Sequence, residues 1–181
     1  RSPAMRRPNR TVEPADTRVG VTAGNRRPST VGDRSAPHQA TIGAVVVQAA
    51  DVTISHVTVQ VAGTTAVRID AGGIDFTLQH STVTSTTTGV LVASAAVTGV
   101  VVRDSILRNN TLAFDSLSAA VRVENNTIYA EASTTANDGV RILDAVGTGT
   151  IVAGNEVYKV AVSPTSTYGG TGIRVETAGF E

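Results

Sequence analysis

The chain has 181 residues and a formal net charge of zero, and it contains no cysteine, no tryptophan and only six other aromatic residues. The missing cysteines exclude disulfides and thiolate metal sites, and no apolar run reaches the roughly 18 residues of a membrane-spanning helix. Val, Thr and Ala dominate the composition, which favours strands over helix bundles. The sequence therefore predicts an all-β protein with a core of small aliphatic side chains.

Residues 1–40 differ from the rest of the chain in charge and composition. They contain eight arginines against three acidic residues, and five of the six prolines, whereas residues 41–181 carry seven basic and twelve acidic residues. This pattern predicts an extended arm that does not fold on itself and is held by the body or by other subunits. The arginines are scattered and have no aromatic partners, so we do not expect nucleic-acid binding.

The remainder, residues 41–181, is an internal repeat. Five eight-residue segments align without gaps, with an apolar third position, an apolar eighth position and starts 24, 24, 21 and 29 residues apart. Each segment is predicted to form a strand, a short bend and a second strand. The segments are VTISHVTV (52–59), FTLQHSTV (76–83), VVVRDSIL (100–107), VRVENNTI (121–128) and TIVAGNEV (150–157).

A second motif lies between successive segments and predicts a third strand in each period. It reads TAVRI (65–69), TGVLV (88–92), TLAF (111–114), DGVRI (138–142) and TGIRV (171–175). In the third of these, Leu112 and Phe114 are expected to face the interior. Three short strands in each period of about 22–24 residues are typical of a parallel β-solenoid, in which stacking coils bury what one coil cannot.

In these repeated motifs, residues 43–181 resemble the right-handed parallel β-helix proteins of the pectin-lyase-like superfamily. The resemblance rests on the unit VRVENNTI and on the Gly-Val-x-Val strand. It implies a right-handed solenoid of about five to six coils, three short strands per coil, behind the N-terminal arm. The chain stops inside its sixth coil, so we expect a longer protein or another subunit at that open end.

The sixth position of the repeat predicts a structural ladder. Asn tolerates a left-handed bend, and stacked polar side chains can hydrogen-bond from one coil to the next. The expected members are Ser81, Ser105, Asn126 and Asn155.

The fifth position brings His56, His80 and Asp104 to the same corner of consecutive coils. Two imidazoles and a carboxylate could hold a divalent metal ion, and no other cofactor is expected. The alternative is that bends collect polar residues and Asp104 pairs with a neighbouring histidine.

A row of outward side chains follows the second motif. Arg68, Arg141 and Arg174 could bind the carboxylates of acidic glycans, and Leu91 and Ala113 are expected to interrupt the row, with Asp115 just past its strand. The resemblance implies that polysaccharide lyases and hydrolases act on this face. The alternative is that the charges keep the solenoid soluble and in register.

Two long excursions, residues 130–138 and 160–170, predict a binding surface at one corner. Tyr158 and Tyr168 could stack on a sugar ring there. The alternative is a tolerated insertion or a subunit contact.

These observations favour a non-enzymatic structural or adhesive subunit of a virion or cell-surface assembly, outside the cell. Its partners are expected to be other protein subunits, bound through residues 1–40 and the open C-terminal coil. Two alternatives remain open: a fragment of a polysaccharide lyase, hydrolase or epimerase acting on acidic glycans, and a glycan-binding module without chemistry.

Overall fold

A computed structural model of the chain describes residues 39–130, 138–143, 149–159 and 172–175. The predicted arm, residues 1–40, lies almost wholly outside this part of the chain, as do Tyr168 and most of both long excursions. The described residues form 17 short strands and no helix, and so no helix that could cross a membrane. The strands are β1 (Ala40–Ile42), β2 (Val45–Val47), β3 (Thr53–Ser55), β4 (Val57–Val61), β5 (Val67–Ile69), β6 (Thr77–Gln79), β7 (Thr82–Ser85), β8 (Thr88–Val92), β9 (Val100–Arg103), β10 (Ile106–Arg108), β11 (Leu112–Ser116), β12 (Val121–Glu124), β13 (Thr127–Tyr129), β14 (Asp138–Ile142), β15 (Ile151–Ala153), β16 (Glu156–Tyr158) and β17 (Ile173–Val175).

Every third strand in the chain joins the same sheet, which confirms the predicted solenoid with three strands per coil. Sheet 1 has the order β1-β4-β7-β10-β13-β16, sheet 2 the order β17-β14-β11-β8-β5-β2, and sheet 3 the order β15-β12-β9-β6-β3. All of the paired strands are parallel. About four turns, slightly fewer than the five to six expected, lie in the uninterrupted residues 39–130, and β14 to β17 continue the same three sheets in the later described ranges.

The register of the strands reproduces the alignment of the eight-residue segments. The third position forms one column, in which Leu78 pairs with Ile54 and Val102, and Val123 with Val152. The eighth position forms a second column through sheet 1. Both columns face the interior, where the core of the described residues contains Val, Leu, Ile and Ala together with the rings of Phe76 and Phe114. The repeated apolar positions therefore build one continuous narrow core.

The register in β11 differs from the expectation by two residues. Phe114 pairs with Val90 and Ser116 with Val92, so Leu112 is not one of the two matched inward positions. Ser116 is fully buried, and its hydroxyl donates to the Ser118 carbonyl oxygen at 2.9 Å. A two-residue shift keeps the same alternation of faces, so the pattern of apolar residues did not reveal it.

Candidate functional site

The turn between sheet 3 and sheet 1 has the same backbone conformation in five consecutive coils. His56, His80, Asp104 and Asn125 have φ values of 57°, 49°, 49° and 55°, and Gly154 has a φ of 65°. This left-handed conformation is unfavourable for most L-residues and easiest for glycine and asparagine. The fifth-position column thus marks a backbone requirement of the turn, whatever else its side chains do.

The next residue in this turn carries the polar ladder. The backbone N–H of Ser81 donates to Ser105 Oγ at 3.2 Å, that of Ser105 to Asn126 Oδ1 at 3.0 Å, and that of Asn126 to Asn155 Oδ1 at 2.9 Å. Asn126 Nδ2 also donates to the Val102 carbonyl oxygen at 2.9 Å. Each side chain thus satisfies a backbone group of the preceding coil and fixes the stacking of the two turns.

The two histidines of the proposed metal site stack on adjacent coils. The ring centroids of His56 and His80 are 5.1 Å apart, with an angle of 36° between the ring planes, and both residues are exposed. Asp104 occupies the same position one coil further on. Within the part of the chain that the structure describes, no group of three or more His, Cys, Asp or Glu residues is placed to hold a metal ion. The metal site stays a hypothesis that rests on the histidine pair.

The arginine row on sheet 2 runs through Arg68, Leu91, Asp115, Arg141 and Arg174. The expectation that Ala113 occupies this row is wrong: Ala113 is buried, and Asp115 stands in the row inside β11. The reason is the same two-residue shift in β11, which puts Asp115 at the position in the row where Ala113 was expected.

Asp115 converts the row into an ion pair between coils. Its two carboxylate oxygens accept from Arg141 Nε at 3.0 Å and Arg141 Nη2 at 2.7 Å. Only 10% of the Asp115 side chain is exposed, against 31% of Arg141. A bidentate, largely buried pair of this kind is stronger and more directional than a surface ion pair. Arg141 is therefore engaged within the protein.

Arg68 is also paired, at the edge of the same face. Its Nε donates to Asp70 Oδ1 at 2.7 Å, and Gln48 Nε2 donates to Asp70 Oδ2 at 3.0 Å. The hydrogen bond from Gln48, followed by that from Arg68, holds the pKa of the Asp70 carboxyl below its ordinary value. These groups are exposed, so the pair contributes little to stability.

Sheet 3 carries a similar set of polar contacts that the sequence did not suggest. Arg103 donates from Nε and Nη2 to Gln79 Oε1 at 3.0 and 2.6 Å, across adjacent coils. Arg122 donates to Glu124 Oε1 at 2.9 Å within one strand. On sheet 3, as on sheet 2, an outward arginine therefore joins adjacent coils, here through Arg103 and Gln79.

Sheet 1 presents an aromatic pair on its outer face. Tyr129 pairs in register with Tyr158, and their rings are stacked, with centroids 5.0 Å apart and planes at 3°. One face of the Tyr158 ring is therefore covered by Tyr129, and that face is closed to the proposed stacking on a sugar ring. Sequence reasoning missed Tyr129, although both tyrosines directly follow the eighth position of their segments.

A groove opens near the corner where strands of sheet 1 end. Its volume is about 510 Å³, within the roughly 300–1,000 Å³ of known ligand clefts. The described residues that line it are uncharged, and they include Thr41, Gln60, Val61, Thr84, Ser85 and Asn109. No single motif of the sequence indicated this groove, because its walls come from four successive coils.

Comparison of the chain with protein-family models, with curated proteins and with solved structures gave no match. The interpretation of the site therefore rests on the geometry described above.

Proposed function

We propose that the protein is a structural or adhesive β-helix subunit of a virion or cell-surface assembly and has no catalytic activity. The observation that supports this most is the ion pair between Arg141 and Asp115. Arg141 lies on the face that was expected to bind acidic glycans, but its guanidinium binds Asp115 and so joins two coils. The polar ladder in the turn between sheets 3 and 1 likewise joins successive coils.

The exposure of the last described strand, β17, also supports a role in an assembly. In the last described coil the inward positions Ile173 and Val175 are 47% and 52% exposed, whereas their counterparts Val140 and Ile142 are fully buried. Among the described residues β17 is the last strand of sheet 2, and an unpaired strand edge pairs readily with more polypeptide. This coil and the basic arm, residues 1–40, are the two contacts that we propose with other subunits.

We also propose that the solenoid is right-handed and belongs to the pectin-lyase-like superfamily. A connection between parallel strands of one sheet is right-handed in about 98% of cases. The left-handed residue followed by Ser or Asn in the turn, and the Gly-Val-x-Val strand, support the resemblance noted in the sequence.

The test of the structural role is site-specific photo-crosslinking in the cell that makes the protein. A photoreactive amino acid at Gly20, in the arm, is expected to give adducts with other chains, whereas the same group at the exposed Ala71, on the body, is the matched control. Adducts from Gly20 that stay within one chain would contradict the proposal.

The enzymatic alternative has a separate test. Full-length protein is incubated with polygalacturonate and alginate, and unsaturated products and new reducing ends are measured. We expect neither above the rate in a blank. Release of products that Arg141→Ala abolishes would overturn the non-enzymatic assignment.

A further inference from the structure

We propose that Tyr129 and Tyr158 form a site of oxidative cross-linking, in which a carbon–carbon bond between the two phenol rings joins β13 to β16. The inference goes beyond the proposed assembly role, because it assigns a covalent modification to two side chains of one chain. A subunit that never forms this bond could still assemble with others, so the two proposals can fail separately.

The register of the strands keeps the two rings together. Tyr129 on β13 pairs with Tyr158 on β16, and neighbouring strands of a sheet lie about 4.8 Å apart. The ring centroids are 5.0 Å apart and the ring planes differ by 3°. Because the sheet fixes both backbones, each ring stays within reach of the other when it rotates about its side-chain bonds. Two phenoxyl radicals formed here meet at the high effective concentration of an intramolecular pair.

The pair can be reached by an oxidant from outside. Both side chains lie on the outer face of sheet 1, where Tyr158 is 38% exposed and Tyr129 is half-buried. Because the rings are stacked, an electron can pass from Tyr129 to a radical on Tyr158. An oxidant that reaches the more exposed ring can therefore oxidise both in two successive steps.

Few other side chains compete for a one-electron oxidant. The chain has no Cys and no Trp, one Met and three Tyr, whereas the oxidation of Cys and Met is otherwise common in proteins. On the other side of Tyr129 the in-register neighbour is Arg108, and a guanidinium is not oxidised by a peroxidase. A radical on Tyr129 thus has Tyr158 as its coupling partner in this column of described residues.

The proposed step uses hydrogen peroxide and a peroxidase as its oxidant. Each phenol gives up one electron and one proton, and one hydrogen peroxide takes up both electrons and both protons to form two water molecules. The two radicals then couple through ring carbons adjacent to their hydroxyl groups. The hydrogen on each coupled carbon moves to the phenol oxygen and restores the aromatic ring. The product therefore differs from the starting protein by the loss of two hydrogen atoms.

The bond would fasten an edge of the solenoid. Among the described residues β16 is the last strand of sheet 1, and its inward Val157 is only partly buried, whereas Ile128 on β13 is buried. Regions with few buried apolar contacts open most easily. A bond between side chains 29 residues apart in the sequence would hold β16 to the preceding coil, as a disulfide does in chains that contain Cys.

The experiment treats the full chain, at a low concentration that keeps chains apart, with a haem peroxidase and hydrogen peroxide. Fluorescence of the coupled phenols and mass spectrometry of the digested peptides identify the product. We expect a cross-link of single-chain size between the Tyr129 and Tyr158 peptides. Tyr129→Phe and Tyr158→Phe keep the rings but remove one phenol, and each should lower its yield at least about tenfold, whereas the matched control Tyr168→Phe should change it less than about twofold.

Circular dichroism before oxidation checks that each variant keeps its fold. In urea the register between β13 and β16 is lost, so the yield from the wild type should also fall about tenfold. Cross-links found only between chains, or an equal yield in wild type and Tyr129→Phe, would overturn the assignment. The cross-linked chain should melt about 5–10 °C higher than the untreated one, and an unchanged melting temperature would overturn the fastening of β16.

Discussion

The length of the connection between sheets 3 and 1, the turn, is nearly constant from coil to coil, whereas that of the connection between sheets 1 and 2, the corner, varies. The turn has one or two residues in every described coil and always places a left-handed residue first. The corner has five residues between β4 and β5, two between β7 and β8 and three between β10 and β11. Hydrogen bonds between side chain and backbone recur at the same position of successive turns, whereas those of the corner, such as the bond from the Gly63 N–H to Thr86 Oγ1 and that from Ser85 Oγ to the Thr64 carbonyl oxygen, differ from coil to coil. The constant turn aligns the coils, and the variable corner is free to form a groove.

The largest effect is expected from changing the length of the turn. One glycine inserted between Asp104 and Ser105 should remove the hydrogen bonds of two buried N–H groups, Ser81 and Ser105. At about 1–3 kcal/mol for each unsatisfied group, the free energy of unfolding should fall by about 4 kcal/mol. The same insertion between Ala62 and Gly63, in the corner, should lower it by less than about 1 kcal/mol. Urea denaturation measures both, and equal losses would remove the distinction between the two regions.

A smaller loss is expected when the ladder is cut without changing the turn length. Asn126→Ala leaves the Ser105 N–H and the Val102 carbonyl oxygen without their partner. We expect the free energy of unfolding to fall by about 3 kcal/mol in urea denaturation. Asn125→Gly is the control, because glycine accepts the same positive φ and should stay within about 0.5 kcal/mol. A loss below about 1 kcal/mol for Asn126→Ala would show that the ladder does not stabilise the stack.

The left-handed residue of the turn gives a third comparison. His80→Val places a β-branched side chain at a φ of 49° and should lower the free energy of unfolding by about 1–2 kcal/mol. His80→Gly relieves the same conformation and should leave stability almost unchanged, although it removes the ring that stacks on His56. If both variants lose the same amount, the ring contact and not the backbone matters at this position.

The same pair of variants addresses the metal hypothesis. Zn²⁺ titrated into the wild type by calorimetry should bind with one ion per chain if His56 and His80 are its ligands. His80→Gly should abolish that binding. Binding that persists in this variant, or none in the wild type, would remove the histidine pair as a metal site.

The smallest effect lies in an exposed corner contact. The pKa of Asp70 is lowered, first by the hydrogen bond from Gln48 and then by Arg68. The contact therefore stabilises the fold above the ordinary aspartate pKa of about 3.9, and this contribution is lost as the pH falls through the lower folded pKa. Gln48→Ala should raise the pKa of Asp70 in an NMR titration, whereas Gln60→Ala should not. An unchanged pKa would assign the shift to Arg68.

The sequence by itself determined the repeat, the three strands in each coil and the columns at the third and eighth positions. These follow from one physical rule: stacked coils bury the same positions, so apolar residues must recur at a fixed spacing. The ladder at the polar sixth position could be predicted for the same reason, since a backbone N–H in each turn needs a hydrogen-bond partner in the next. In such a solenoid, the spacing of residues along the chain therefore also predicts which residues contact each other between coils.

Only the tertiary structure decided what lies beside what on the outer faces. The apolar alternation in β11 favours Leu112 and Phe114 as the inward pair, whereas the structure places Phe114 and Ser116 inward, so the sequence analysis put Ala113 in the arginine row where the structure has Asp115. That choice separates an arginine open to ligands from one bound by a carboxylate. The groove was equally hidden, because residues from four coils meet there through hydrogen-bonded register and not through spacing along the chain.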